Sequence, residues 1–407
     1  MYDVVVIGGG TAGCFSAICS AMQGAKTLLI EKGSMLGGTM TAGKVNYPGL
    51  FFAWGKQIVG GPCINALLSA GAPMPPSEYP LDKHWLGQVH VNEFDYLCVL
   101  EQTCEQNGVQ ILYHTTPCAV KETPDCVKIT LAQKEGIKEI QSKILIDASG
   151  DANAVTLAGY PIEKRAVCQP ATLINDIDGY DFDKIDINAL DKHIEQCKKD
   201  GLITDQDLQG GAIYYHLKAK RISMHVPCES AQTSQGKTNV ELIARKSLRK
   251  ILTVLRKFPG LENIKVTNFA VECGIRESVR IVGETQMTIE NYLSGKKYSD
   301  AVCYCFYPVD EHLPTSVRKV YHAQGVVPTI PYSALIPKNS KRILVAGRIA
   351  SSDPDTNSAI RVQAPCMAMG QVTGVAGAIA SKNNLPVLEI PLGELKSKLL
   401  EIGAIVP

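Results

Sequence analysis

The segment ECGIRESVRIVGE carries Arg276 and Arg280, four residues apart and so on one face if the segment is helical. An arginine fork matches a carboxylate bidentately, which makes Arg276 a candidate for holding an anionic substrate group. Glu272, Glu277 and Glu284 are close enough in sequence to pair with these cations instead. That structural pairing suits Arg280 better than Arg276, which sits in a motif bounded by Gly274 and Gly283. Three histidines could move a proton: His225 in RISMHVPCE, His312 in FYPVDEHLP, and His322, beside Tyr321, in RKVYHAQG. A lone histidine is more often a satisfied structural group than a catalyst, so the choice among the three stays open.

The residues that could hold a cofactor lie at the other end of the chain. DVVVIGGGTAGCFSAICSAMQGAKTLLIEKG predicts a strand over Val4 to Ile7, a helix from about Thr11 to Met22 and a strand from Thr27 to Ile30 that ends at Glu31. Gly24 suits the C-terminal end of the helix. Gly8, Gly10 and Gly13 spell G-x-G-x-x-G between the first strand and the helix. Gly8 permits the tight turn, Gly10 lets backbone approach a pyrophosphate, and Gly13 lets helix and strand pack closely. The helix start, at Thr11 and Ala12, offers unpaired N–H groups to the phosphates. Glu31, 18 residues past Gly13, can accept hydrogen bonds from a ribose diol, with Lys32 beside it. Together these predict a bound dinucleotide.

Two further segments help decide which one. SKILIDASGDANAVTLAG closes an apolar strand on Ala148, Gly150 and Asp151. KRILVAGRIASS closes another, Ile343 to Val345, on Gly347 and Arg348, before a helix rich in Gly and Ala. The chain therefore returns to the nucleotide-binding layer near its far end, whereas a plain NAD domain is usually continuous. GGTMTAGKVNYPGLFFAWGKQIVGGPC (37–63) holds seven glycines and four aromatics, with Lys44 and Lys56 as its only charges. Such a loop suits backbone lying against a flat ligand.

These motifs resemble the FAD-dependent oxidoreductase family of the glutathione-reductase-like flavoprotein superfamily. By architecture the chain is similar to the fumarate reductase and aspartate oxidase type. The resemblance covers nearly the whole chain and implies FAD. It implies that Gly37, Gly38 and Thr39 pass along the pyrophosphate and ring, with Thr41 and Gly43 close to the isoalloxazine. Tyr47, Phe51 and Trp54 would wall the active site or serve as plain core. Gly347 and Arg348 would reach the pyrophosphate. The helix starting near Arg361, Val362 and Gln363 would point at the pyrimidine edge of the flavin. One of His225, His312 and His322 is expected to face the ring.

The expected fold class is α/β: a discontinuous Rossmann-like FAD domain, residues 1–160 and 340–407, with an inserted α+β substrate domain, 161–339. A helix at VNEFDYLCVLEQTCEQNG, a strand at VQILYHT and a hairpin of CVKITLA with IKEIQSKILIDAS complete the first layer. In the insert, NDIDGYDFDKIDINALDKHIEQ reads as surface loop and helix. TNVELIARKSLRKILTVLRKFPG reads as a basic helix with a Thr238–Glu241 capping box, a stop at Pro259-Gly260 and a Leu248, Ile251, Leu252, Leu255 core stripe.

Composition bounds the function. The 407 residues carry 41 basic and 40 acidic side chains, net +1, which argues against a general nucleic-acid binder. No apolar run reaches membrane-spanning length, and Met1-Tyr2-Asp3 runs directly into a strand, so no signal peptide and a cytoplasmic location are expected. Fourteen cysteines, Cys14, Cys19, Cys98 and Cys366 among them, read mostly as reduced, buried small hydrophobes, and no metal-ligand spacing stands out. No second G-x-G-x-x-G and no C-x-x-C occur, so a built-in nicotinamide domain and dithiol relay are not expected. Electrons would come from a small-molecule substrate, a visiting nicotinamide or a separate donor or acceptor protein. The expected activity is hydride transfer to or from flavin N5 on a small polar or anionic metabolite. The alternatives are an RNA-modifying or assembly flavoprotein, kept open by the basic helix, and an aromatic hydroxylase.

Overall fold

Val4 and Val6 enter one buried layer of the central sheet and Val5 and Ile7 the other, which is why the first strand reads as an unbroken apolar run. In the computed structural model, which describes residues 1–208, 212–313 and 316–407, that strand spans Tyr2–Ile7 inside a seven-stranded sheet. Thr27–Ile30 and then Gln110–Leu112 run parallel to it on one side, and Gly136–Asp147 and Ile343–Val345 on the other. Gly136–Asp147 also pairs antiparallel with Val127–Gln133 as the expected hairpin. A further strand, Thr116–Glu122, extends it. The class is α/β, a Rossmann-like parallel sheet with additional antiparallel sheets.

The Thr11–Met22 and Gln363–Asn383 helices, from opposite ends of the chain, pack together on one face of this sheet. Glycine makes the approach possible. A Cβ on Gly370 would lie 2.3 Å from the Ala12 carbonyl oxygen, and one on Gly374 2.3 Å from that of Ser16.

A separate core runs from Cys168 to Cys273. It lies between the antiparallel strands Arg221–Val226, Ala171–Asp178 and Lys265–Phe269 and the helices Ile187–Lys199 and Ser234–Leu255. Met287, Val302 and Ile330 instead join the first core, and Val279 and Ile281 the layer on the sheet's other face. Within 161–339, then, the stretch with a core of its own is 168–273.

Several local expectations need correction. The basic helix starts at Ser234, capped by the Thr233 hydroxyl accepting from the Gly236 N–H. Thr238 is inside it, its hydroxyl donating to the Ser234 carbonyl. The apolar stripe chosen for that helix is buried as expected. Arg276 and Arg280 do not share a helix face: the chain is extended there, and Val279–Ile281 pairs with Ile162–Lys164. Asn175 to Asp178 end a strand rather than forming loop, because their backbone is taken by neighbours on both sides. Cys98 is exposed, on the outer side of the Glu93–Gln106 helix; among the described residues all fourteen cysteines are free. Among the described residues no helix is long and apolar enough to cross a membrane.

Candidate active site

Four parallel strands end at one edge of the sheet, and the loops that leave them line a cavity of about 700 Å³. Gly8 follows the first strand with φ +102°, a left-handed turn; a Cβ there would meet the Ala148 carbonyl oxygen at 2.6 Å. Gly10 faces open space, its imagined Cβ meeting only Gly38 Cα at 4.0 Å. Gly13 lines no cavity. It packs helix on strand, since a Cβ there would fall 1.8 Å from the Gly8 oxygen.

Glu31 closes the far end. Its carboxylate oxygens accept from Gly9 N and Gly33 N, both at 2.7 Å, which fixes it at the cavity wall. Two long helices start at the cavity, Thr11–Met22 and Gln363–Asn383, and neither has a side-chain cap. Their first N–H groups stay available to an anion. Gln363 donates to the Thr39 hydroxyl at 2.8 Å, joining the second helix start to the glycine loop. An open glycine cradle, an acid at the second strand and two uncapped helix starts fit FAD.

Not every expected cofactor residue reaches the cavity. Thr11, Ala12, Gly38, Thr39, Ala148, Gly150, Gly347 and Val362 line it. Gly37 and Thr41 lie behind it: Gly37 N donates to Gly9 O, and the Thr41 hydroxyl donates to Leu36 O. The local turn consumes their polar groups. Lys32 and Arg348 line the cavity, but their charges are engaged. Lys32 pairs with Glu272 at 2.9 Å. Arg348 donates to Gly150 O, Ile275 O and Asp151, so it braces the loop after Gly136–Asp147 against the inserted segment. Asp151 also takes Lys237, from the Ser234–Leu255 helix. Burial pushes the Asp151 pKa up, but Arg348 and Lys237 outweigh it and hold it at about 2. Among the aromatics, Tyr47 lines the cavity, Phe51 is core, and Trp54 donates to Val326 O away from it.

The opposite end is a half-buried polar cluster. Arg276 donates to Pro170 O and to His225 Nε2. Burial and the charge of Arg361 push its pKa down to about 9. Arg361, expected at the start of the helix aimed at the cofactor, lines the cavity with its guanidinium engaged at this end. It donates to Gln169 Oε1 and Asp310 O, because its backbone leaves the short Pro354–Ile360 helix beside the strand Val309–His312. His312 lines the cavity and pairs with Asp310 at 3.2 Å. Burial lowers the His312 pKa, with Asp310 opposing, so the ring is neutral near pH 7. Asp310 is ionised: burial raises its pKa, yet His312 and Arg361 hold it at about 2.

His225 does not suit the proton-transfer role expected for it. It lies edge-on to His312 at 4.7 Å, its Nε2 is occupied by Arg276, and burial with that cation drives its pKa to about 3. It does not line the cavity. His322 also sits elsewhere, stacked on Phe306 and bonded to Tyr307 O. Arg280 pairs with Glu277 at 3.0 Å as structural pairing anticipated, whereas Glu284 accepts from Asn339 N. Asp310, Tyr307 and Gln169 were not singled out in the sequence. For Asp310 a signal existed: i and i+2 on a strand share a face, so Val309–His312 carries Asp310 and His312 together. Among the described residues no group of three or more His, Cys, Asp or Glu is arranged to hold a metal.

A family model for FAD dependent oxidoreductases matches residues 3–399. The chain belongs to that family. This FAD dependent oxidoreductase is 58% identical over 38 residues to ferredoxin–NADP reductase 3 of Lysinibacillus sphaericus (strain C3-41), a match of 9% of this chain and 11% of that one. The chain thus matches about a ninth of that curated relative's length. A geranylgeranyl bacteriochlorophyll reductase-like structure from Thermoplasma acidophilum is 14% identical, covers 98% of this chain and 83% of that chain, and has a TM-score of 0.47. The p-nitrophenol 4-monooxygenase of Pseudomonas putida DLL-E4 is 12% identical, covering 98% and 85%, with a TM-score of 0.43. Likeness at this level carries no information about the substrate of this FAD dependent oxidoreductase.

Proposed function

We propose that the protein oxidises or reduces a small anionic metabolite at the inner end of this cavity. The observation that carries the reading is a pair of half-buried guanidinium groups, Arg276 and Arg361, that line one cavity and, among the described residues, make no ion pair with a carboxylate, the ionised Asp310 being one negative charge set against the two. Cations withdrawn from water are rarely left short of counter-charge, so an anionic ligand supplies the second one.

FAD, when bound, supplies the two-electron chemistry, accepting or giving hydride at N5. Gly10, Thr11 and Ala12 would hold its pyrophosphate and Glu31 its ribose. The helix start at Val362 and Gln363 would stabilise negative charge on the flavin's pyrimidine edge. Arg276 and Arg361 orient the substrate anion. His312, neutral at pH 7, takes or returns the substrate proton at a ring nitrogen, and the Asp310 carboxylate stabilises the imidazolium that results. His225 holds the Arg276 fork in place rather than moving a proton. A separate electron donor or acceptor protein is part of this reading, since the chain carries one dinucleotide fingerprint.

Purified protein should be yellow and release FAD, not FMN, on acid extraction. Photoreduction without oxygen, followed by a screen of small carboxylates for flavin reoxidation, tests the rest. Reoxidation by neutral compounds alone would refute the anionic-substrate reading.

A further inference from the structure

The inner end of the cavity leaves both charge and hydrogen-bonding capacity unmatched. Arg276 and Arg361 bring two positive charges and Asp310 one negative, while His312 is neutral, so the cluster has a surplus of one positive charge. Asp310 is 8% exposed, and only one of its carboxylate oxygens is engaged, by His312; Oδ1 has no partner. His312 Nδ1 and Arg361 Nε also lack partners, as does Nε2 of Gln169, whose Oε1 joins His312 N to Arg361. Several orphaned atoms on linked residues in one place are unusual, because each buried unpaired polar atom costs about 1–3 kcal/mol.

We propose that this end binds a monocarboxylate bearing a hydroxyl on the carbon next to the carboxylate, that is, a 2-hydroxy acid or its 2-oxo partner. The inference rests on the cavity being the substrate site of a flavin enzyme. The carboxylate answers the surplus positive charge, and the hydroxyl supplies the donor that the Asp310–His312 pair lacks. The groups are connected in series: Arg361 donates to the backbone oxygen of Asp310, the same residue's carboxylate holds His312, and His312 touches the ring of His225, which receives Arg276. Arg276, Arg361, Asp310 and His312 line the same cavity, so an anion held by the arginines shares it with the residue that carries the unpaired acceptor. A 2-amino acid offers the donor but is a zwitterion and leaves the surplus charge standing. A dicarboxylate brings one negative charge too many.

The test is equilibrium binding to the FAD-loaded protein without oxygen, read by flavin absorbance change and by calorimetry. The probes are lactate and mandelate against propanoate and phenylacetate, which lack the hydroxyl, and against alanine, phenylglycine and succinate. The hydroxy acids should bind at least about tenfold tighter than their deoxy and amino counterparts, since a site built for a hydroxyl rejects the analogue without one. That preference should vanish in Asp310→Ala while the deoxy acids still bind. If deoxy acids bind the wild-type protein as well as hydroxy acids do, the hydroxyl assignment is wrong and the anion site stands. If alanine or succinate binds tightest, the charge argument fails. If no carboxylate binds to protein that retains its flavin, the function proposed above fails with it.

Discussion

Gly10 and Gly13 belong to one fingerprint but should fail differently. A side chain at Gly10 has room in the protein and enters the cofactor cradle, so Gly10→Val should give folded, colourless protein. At Gly13 the same change drives carbon into the Gly8 carbonyl, so Gly13→Val should lower the melting temperature steeply or prevent folding. Circular dichroism and flavin absorbance on both variants separate the cases, and a yellow, fully loaded Gly10→Val would overturn the cradle assignment. Arg276→Ala should keep the flavin spectrum and lose about 2–4 kcal/mol of transition-state stabilisation, with partial rescue by lysine. Because burial and Arg361 lower the Arg276 pKa to about 9, its charge is present below that pH and lost above it. Anion affinity should therefore weaken as pH is raised from 8 to 10, and flat affinity across that range would exclude Arg276 as the anchor. Gly8, Gly10, Thr11, Ala12 and Glu31 were legible as residues of one cavity because they lie within a single local pattern of strand, turn and helix, whereas Gly37 and Thr41, read from the resemblance, lie behind it. Asp310 and Gln169 were not singled out, and the contacts of Arg361 were not foreseen, because they arise only where distant segments meet.

Among the elements, the long basic helix separates what pattern reveals from what it conceals. Its apolar stripe was readable from spacing, since burial repeats with the helical turn. Its start was not, because Thr238 and Glu241 carry the spacing of a capping box although the helix begins a turn earlier, at Ser234. Glu241, the supposed reciprocal partner in the capping box, instead accepts from Cys273 N and pairs with Arg245. Thr233→Ala should therefore destabilise the protein by about 0.5–2 kcal/mol, while Thr238→Ala should change little. Chemical denaturation of the two variants decides it; equal losses would mean the cap is misassigned. The same limit explains Arg276 and Arg280. Four-residue spacing suggests a helix, but pairing of Val279–Ile281 with Ile162–Lys164 holds the segment extended and sends the two arginines to different partners.

At the scale of the molecule, Asp151 joins the Rossmann-like sheet to the inserted core through Arg348 and Lys237. Its pKa is depressed from 3.8 to about 2 in the folded protein, so the stability it contributes is present above pH 4 and lost as pH falls toward 2. The loss should be on the order of 2 kcal/mol. Asp151→Asn should melt lower at pH 7 and show a smaller further drop between pH 5 and 3 than the wild type; parallel acid profiles would refute this. The exposed Lys32–Glu272 pair should matter much less. The glycine-lined crossing of the Thr11–Met22 and Gln363–Asn383 helices has another consequence, which concerns time. On the ribosome the helix that packs on the phosphate-binding turn and supplies the second uncapped start emerges more than three hundred residues after that turn. Until then the side of the Thr11–Met22 helix on which Gly370 and Gly374 close has no cover. Flavin loading should therefore wait for the Gln363–Asn383 helix to be translated, and nascent chains halted before residue 363 should be colourless and dependent on chaperones.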